Sequence, residues 1–341
     1  MLTNAMILVR KQKRKAYEYR SYEGSFLMAK DSFDFYSPTN LKTYNLEDVM
    51  QYELSMLERL DPFTKKHSEN VANLVCRICE YLKCKKTFTV YATTCAYLHD
   101  IGKLKVPYEI LSKPGRLTEE EFEIVKKHTT YGYEMCMKDL KLRPYADGPL
   151  YHHEALNGTG YPQGLTKKDI PYVAQLIRVA DEYDAIVTKR QYKTHINISE
   201  TLRDLIKDAQ PTEFLKTVAL DMLKENYRVG KINSEALRAL FKVVIDDIYY
   251  EISGVMDYID YLKGEIKRLQ TIQKYDQKRN MAKKEKEQNY YAEGMKILLA
   301  PGETFDNYEQ ILGEYTAAID TREYVKERLY EEIKIVKKLK V

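Results

Sequence analysis

Tryptophan is absent from this chain, and histidine and cysteine are scarce, at 6 and 5 of 341 residues. The cysteines (Cys76, Cys79, Cys84, Cys95 and Cys136) are odd in number. The lone CxxC at Cys76 and Cys79 lacks a second pair at zinc-ribbon spacing. They read as buried free thiols in a reducing, cytoplasmic compartment, not as a disulfide framework. No apolar window approaches the ~18 residues of a membrane span. The apolar start Ala5–Val9 precedes the basic run Arg10–Lys15, the reverse of signal-peptide order. The net charge of +4, from 55 basic and 51 acidic residues, gives no reason to expect a nucleic-acid polymer as partner. A local anionic small substrate remains compatible with it.

What is present is helical periodicity, so an all-α bundle is expected. Residues 1–43 read as a short irregular or weakly β segment. Residues 44–198 read as a helical catalytic domain, and 199–341 as a helical extension. Leu46 to Leu60 is expected as a helix, ended by Asp61-Pro62. Ser68 to Leu82 and Thr87 to His99 give two more. Thr118 and Glu121 form a capping box opening the helix that carries His128. Asp169-Ile170-Pro171 opens the helix that carries Asp181. Gly and Pro gather at 107–115 and 157–164, in connecting loops. Beyond residue 193, helices are expected near 199–209, 211–226 and 234–252. Val255, Ile259, Leu262, Ile266 and Leu269 then follow heptad spacing, with Gly264 weakening that helix. Gln277 to Gln288 is almost wholly polar, Pro301-Gly302 breaks the chain, and Val325, Leu329, Ile333 and Val336 mark a final amphipathic helix.

Five of the six histidines fall in one ordered set with two aspartates: His67, His99-Asp100, His128, His152-His153 and Asp181. Imidazole and carboxylate are ligands that borderline and hard divalent metals share. Seven such groups are too many for one ion but suit two adjacent ones, which can clamp both oxygens of a phosphoryl transfer. His99 and Asp100 cannot face one way on a regular helix, so the helix is expected to end there, beside Gly102. His195 lies outside the set and reads as an ordinary surface residue. Asp181 and Asp184 share a helix face.

The flanking text resembles the HD-GYP family of HD phosphohydrolases over about Asp61 to Lys193. It comprises His67-Ser68-Glu69-Asn70-Val71-Ala72, His99-Asp100-Ile101-Gly102-Lys103, Ile110 to Thr118, His152-His153-Glu154, Asn157-Gly158-Thr159-Gly160-Tyr161-Pro162, Arg178-Val179-Ala180-Asp181 and Arg190-Gln191-Tyr192-Lys193. The resemblance implies that His67, His99, Asp100 and Asp181 bind one metal, and His128, His152 and His153 the other, with Asp100 bridging. It also implies that Lys103 meets a phosphate oxygen or positions the attacking water, and that Arg190 and Lys193 contact phosphate and base. Asp184 is a candidate substrate contact, a support for a ligand, or structural. Glu154 is a candidate partner for a ligand's second nitrogen. The usual first residue of the Gly-Tyr-Pro motif is Asp, and here it is Asn157. Family members with three metals place a Glu where this chain has Phe63, so two ions are expected, iron or manganese favoured.

The implied activity is hydrolysis of a cyclic dinucleotide, cyclic di-GMP foremost, to the linear dinucleotide or on to GMP, by a hydroxide bridging the two ions. The alternatives are the same chemistry on a mixed cyclic dinucleotide or nucleotide phosphate, and a nucleotide-sensing module. A homodimer through the C-terminal helices and a protein partner at the Gly-Tyr-Pro loop are further expectations.

Overall fold

The computed structural model describes residues 55–56, 62–190, 194–211 and 229–341. Among these the only regular elements are helices, with one isolated bridge between Asn157 and Thr166. The expected N-terminal segment and the helix at 211–226 lie outside the described residues, as does Leu46 to Leu60 except for helical Ser55 and Met56.

Helix α1 (Pro62–Tyr81) starts on a proline, which supplies helical φ and lacks only an N–H that would go unused there. Its apolar stripe, Val71, Leu74, Val75 and Ile78, is fully buried. Helix α2 (Lys86–Leu98) is rich in threonine, a poor helix former, yet forms because Ala92, Cys95, Ala96 and Leu98 are all buried. Its buried hydroxyls are satisfied locally: Thr93 donates to the Thr89 carbonyl at 2.8 Å. A 3₁₀ turn (Ile101–Lys105) follows, then the short α3 (Tyr108–Leu111). Helix α4 (Glu119–Lys126) carries the expected capping box, with Glu121 N–H donating to Thr118 Oγ1 and Thr118 N–H to the Glu121 carboxylate. It ends before His128, so the one helix expected to carry both the box and His128 is two, with Lys127 between it and α5 (His128–Lys138). A 3₁₀ turn (Arg143–Tyr145), α6 (Asp147–Tyr151) and α7 (Tyr172–Arg190) complete this part. α1 packs against both α2 and α7.

The chain divides into two compact units, residues up to 195 with 203–240, and 196–202 with 241–340. The division expected at 198/199 thus falls at the start of α8 (Ile198–Ala209), and 203–240 joins the histidine-bearing helices. A backbone bond from Leu156 N to Lys231 O holds it there, as does the bond from Asn233 to Gln175. A Cβ on Gly230 would lie 2.3 Å from the Ala209 carbonyl carbon, so only glycine permits that approach.

In place of separate segments at 234–252 and 255–269, one helix, α9, runs Ser234–Met281. Gly254 and Gly264 sit in open space within it and do not break it, because burial of Ile259, Leu262, Leu269 and Ile272 outweighs their helix penalty of about 1 kcal/mol each. α10 (Glu285–Leu298) and α11 (Tyr308–Val336) follow, separated by the turn at Gly302. Leu269, Ile272, Met295 and Tyr308 form the core of the second unit.

Candidate metal centre

Helix α2 stops at Leu98, and Asp100 (φ −98°, ψ 4°) breaks helical geometry before the 3₁₀ turn. That break lets neighbouring His99 and Asp100 point into one cluster. Gly102 does a different job from the helix stop expected of it. A Cβ there would stand 1.9 Å from the His128 carbonyl oxygen and 2.5 Å from the Gly132 nitrogen. Glycine is what allows the His-Asp turn to lie on α5 and bring His128 beside Asp100. Gly132 is in turn crowded by Pro149 of α6, the helix that leads into His152.

The seven predicted ligands converge. His67, His99 and Asp181 offer donor atoms within 4.8 Å of one another, and so do His128, His152 and His153. Asp100 lies between the two triads. Its Oδ2 is 3.4 Å from His99 Nε2 and 3.8 Å from His67 Nε2, while Oδ1 is 3.5 Å from His128 Nε2. Asp181 reaches His67 Nε2 at 3.0 Å and faces His153 Nδ1 at 3.9 Å. His99, Asp100, His128 and His152 are at most 2% exposed.

Backbone carbonyls set the ring orientations. His99 Nδ1 bonds Ala96 O at 2.7 Å, His128 Nδ1 bonds Val125 O at 2.7 Å, and His152 Nδ1 bonds Pro149 O at 2.9 Å. Each Nδ1 therefore carries the proton, and each Nε2 presents a lone pair inward. His128 Nε2 and His152 Nε2 then face each other at 3.2 Å with two lone pairs and no proton between them. Burial depresses the pKa of both imidazoles and of His153, so protonation does not relieve this contact near neutral pH. Buried His99 Nε2 has no hydrogen-bond partner. A cation between these atoms resolves both problems, so the donor set fits a divalent metal.

The carboxylates are held ionised. Burial alone would raise Asp100, but Lys103, His99 and His128 hold it well below the ordinary carboxylate range. Asp181 is lowered against its burial by a hydrogen bond from His67 and by nearby imidazoles. His67 is carried up to about 10 against its burial by bonds to Asp181 and Asp184.

Several expected roles change. Asp184 is fully buried, with Oδ2 on His67 Nδ1 at 2.6 Å and Oδ1 accepting from Asn70 at 3.1 Å. It orients a ligand and has no oxygen free for substrate. Glu154 binds no imidazole; its oxygens accept from the backbone N–H groups of Gln163 and Leu165 at 2.7 and 2.8 Å. It thereby fastens the Gly-Tyr-Pro loop, whose Tyr161 stacks on His153 at 4.7 Å. His195 is buried, at 1% exposure, not on the surface. Lys103 Nζ meets Asp100 Oδ2 at 2.6 Å. Phe63 is 80% exposed and offers no metal donor. The Arg190 side chain and Lys193 lie outside the described residues. Two supports were not foreseen. Arg178 donates to the His153 carbonyl at 3.0 Å, and Asn70, one turn beyond His67, anchors Asp184. The i, i+3 spacing of His67 and Asn70 was the available signal.

The described residues form a helical bundle around a histidine and aspartate cluster that could hold metal. Residues 51–214 match the model of the HD domain family. A cyclic di-GMP phosphodiesterase of Thermotoga maritima is 37% identical over 182 residues, covering 53% of this chain and 49% of that protein. One of Pseudomonas aeruginosa is 38% identical over 151 residues, covering 44% and 36%. A 3'3'-cGAMP-specific phosphodiesterase of Vibrio cholerae is 35% identical over 157 residues, covering 46% and 34%. Over residues 51–214 the chain is similar to the HD domain family, and its relatives there include cyclic di-GMP phosphodiesterases. It spans between about a third and a half of the length of these curated relatives.

Proposed function

We propose that the chain is a metal-dependent phosphodiesterase that hydrolyses a cyclic dinucleotide, cyclic di-GMP foremost. The observation that carries this reading is the pair of ligand triads on opposite sides of Asp100, one carboxylate oxygen facing each. Two divalent ions held there would supply an activated water and offset the charge that builds on the phosphoryl oxygens. The residues do the rest. Asp184 and the three backbone carbonyls fix the imidazoles, and Arg178 with Tyr161 fixes His153. Lys103 places a cation at the Asp100 oxygen, where a phosphate oxygen would also find it. Arg190 and Lys193 are proposed as phosphate and base contacts on the family resemblance. The histidine-rich, carboxylate-bridged donor set favours iron or manganese.

A mixed cyclic dinucleotide is the second reading, because two relatives are named for 3'3'-cGAMP. Five free cysteines support a cytoplasmic setting. No helix among the described residues is long and apolar enough to cross a membrane. Exposed Tyr249, Tyr250, Tyr324 and Tyr330 support a homodimer through the C-terminal helices. The Gly-Tyr-Pro loop is retained as a proposed protein contact. Incubating iron- or manganese-loaded protein with cyclic di-GMP and 3'3'-cGAMP tests the central reading. Linear dinucleotide is expected from cyclic di-GMP at the higher kcat/KM. Cleavage of neither, with both metals bound, would overturn it.

A further inference from the structure

Beside the metal centre stands an aromatic and cationic group that the catalytic chemistry does not use. Phe122 lies on α4, the capped helix that ends two residues before His128. It is 44% exposed although it is large and apolar. Its ring meets Tyr161 edge to face, with centroids 6.3 Å apart, and Tyr161 stacks at 4.7 Å on His153. Lys126, one turn further along α4, places its ammonium 5.1 Å from the Phe122 ring centre and 5.6 Å from that of Tyr161. Lys126 also pairs with Glu123 on the solvent side.

Tyr161 has His153 against one face and the lysine nearby, so it has little room for a ligand. Phe122 keeps part of its ring open. An exposed apolar ring one aromatic contact away from a metal ligand suits a flat group attached to the phosphate being cleaved. We infer that Phe122 and Lys126 form a shelf for one purine base of the substrate and favour guanine. The base stacks on Phe122, and the Lys126 ammonium donates to the guanine O6 and N7 acceptors. Adenine presents an amino donor at position 6, so it loses part of that contact and sets a donor against the cation. This inference rests on the cyclic dinucleotide reading above and names what selects the base.

The absence of tryptophan elsewhere in the chain provides a direct probe. Phe122→Trp introduces a single indole that keeps an aromatic face. Saturable quenching of its fluorescence by cyclic di-GMP is expected, in metal-loaded full-length protein. Phe122→Leu keeps apolar bulk but removes the π face. Its KM for cyclic di-GMP should rise about tenfold, with kcat changed much less and metal content unchanged. Lys126→Met should narrow the preference for cyclic di-GMP over cyclic di-AMP by about tenfold. Wild-type protein that cleaves cyclic di-GMP, alongside Phe122→Leu with an unaltered KM and Phe122→Trp without quenching, overturns the shelf alone. Loaded wild-type protein that cleaves no cyclic dinucleotide overturns the shelf together with the reading it rests on.

Discussion

In the histidine-bearing unit, His99, Asp100, His128, His152 and Asp184 are each no more than 2% exposed, whereas the second unit hides Leu262, Leu269, Ile272 and Met295 to the same degree. Both units bury hydrocarbon, but the first also buries a tight cluster of imidazoles and carboxylates. Buried polar groups cost stability unless a partner or an ion satisfies them, and in the first unit helix ends, turns and close glycine contacts orient the ligand side chains. The second is built from α10, α11 and the part of α9 beyond Leu240, whose requirement is to cover an apolar stripe. Tolerance to substitution should differ accordingly.

The largest effect is expected at Asp100. Asp100→Ala removes the carboxylate between the triads, so kcat/KM should fall about a thousandfold or more, and metal content should fall with it. Next is Gly102→Ala. The added methyl would collide with the His128 backbone, which has no flexible end to yield. A loss of about 2–3 kcal/mol is expected, read as a drop in Tm with reduced metal binding. If Gly102→Ala proved neutral, the glycine contact would not be what positions His128.

The third prediction is a pH dependence of the metal-free protein. His128, His152 and His153 have folded pKa values below the ordinary 6.5, so the unfolded chain takes up protons first as pH falls. Their effect is to destabilise the fold below about pH 6.5. Asp100 and Asp181, lowered in the fold, contribute stability that is lost as pH falls below their ordinary 3.8. His67 has the opposite sign: raised to about 10, it stabilises fully below 6.5 and loses that contribution as pH climbs through about 10. Three histidines oppose one, so Tm of chelator-treated protein should be lower at pH 5.5 than at pH 7.5. Metal should shift the same way, because ligands must shed protons to bind.

The smallest effect belongs to the second unit. Arg268 bonds Glu303 and Glu265 and donates to the Leu298 carbonyl. Arg268→Ala should cost about 1–3 kcal/mol while leaving metal content and kcat within twofold. A loss of bound metal in that variant would erase the contrast between the units.

The histidines and aspartates were legible because their order and their flanking residues survive in one dimension. So were the capping box at Thr118 and Glu121 and the helix break at His99-Asp100, both local. The rest depends on distance in space. Nothing near Asp184 in sequence says that His67 and Asn70, more than a hundred residues earlier, occupy its two oxygens. Glu154 looked like a ligand's partner because it follows His153, but the backbone of its own loop claims it. His195 looked exposed in a polar stretch and is buried. Gly264 looked like a weak point, and the buried stripe on α9 carries the helix through it.

If two ions share Asp100, metal stoichiometry reports it most directly. Elemental analysis of protein loaded anaerobically with iron or manganese should find two ions per chain, and Asp100→Ala should hold at most one. A single zinc per chain, retained in Asp100→Ala, would contradict the account.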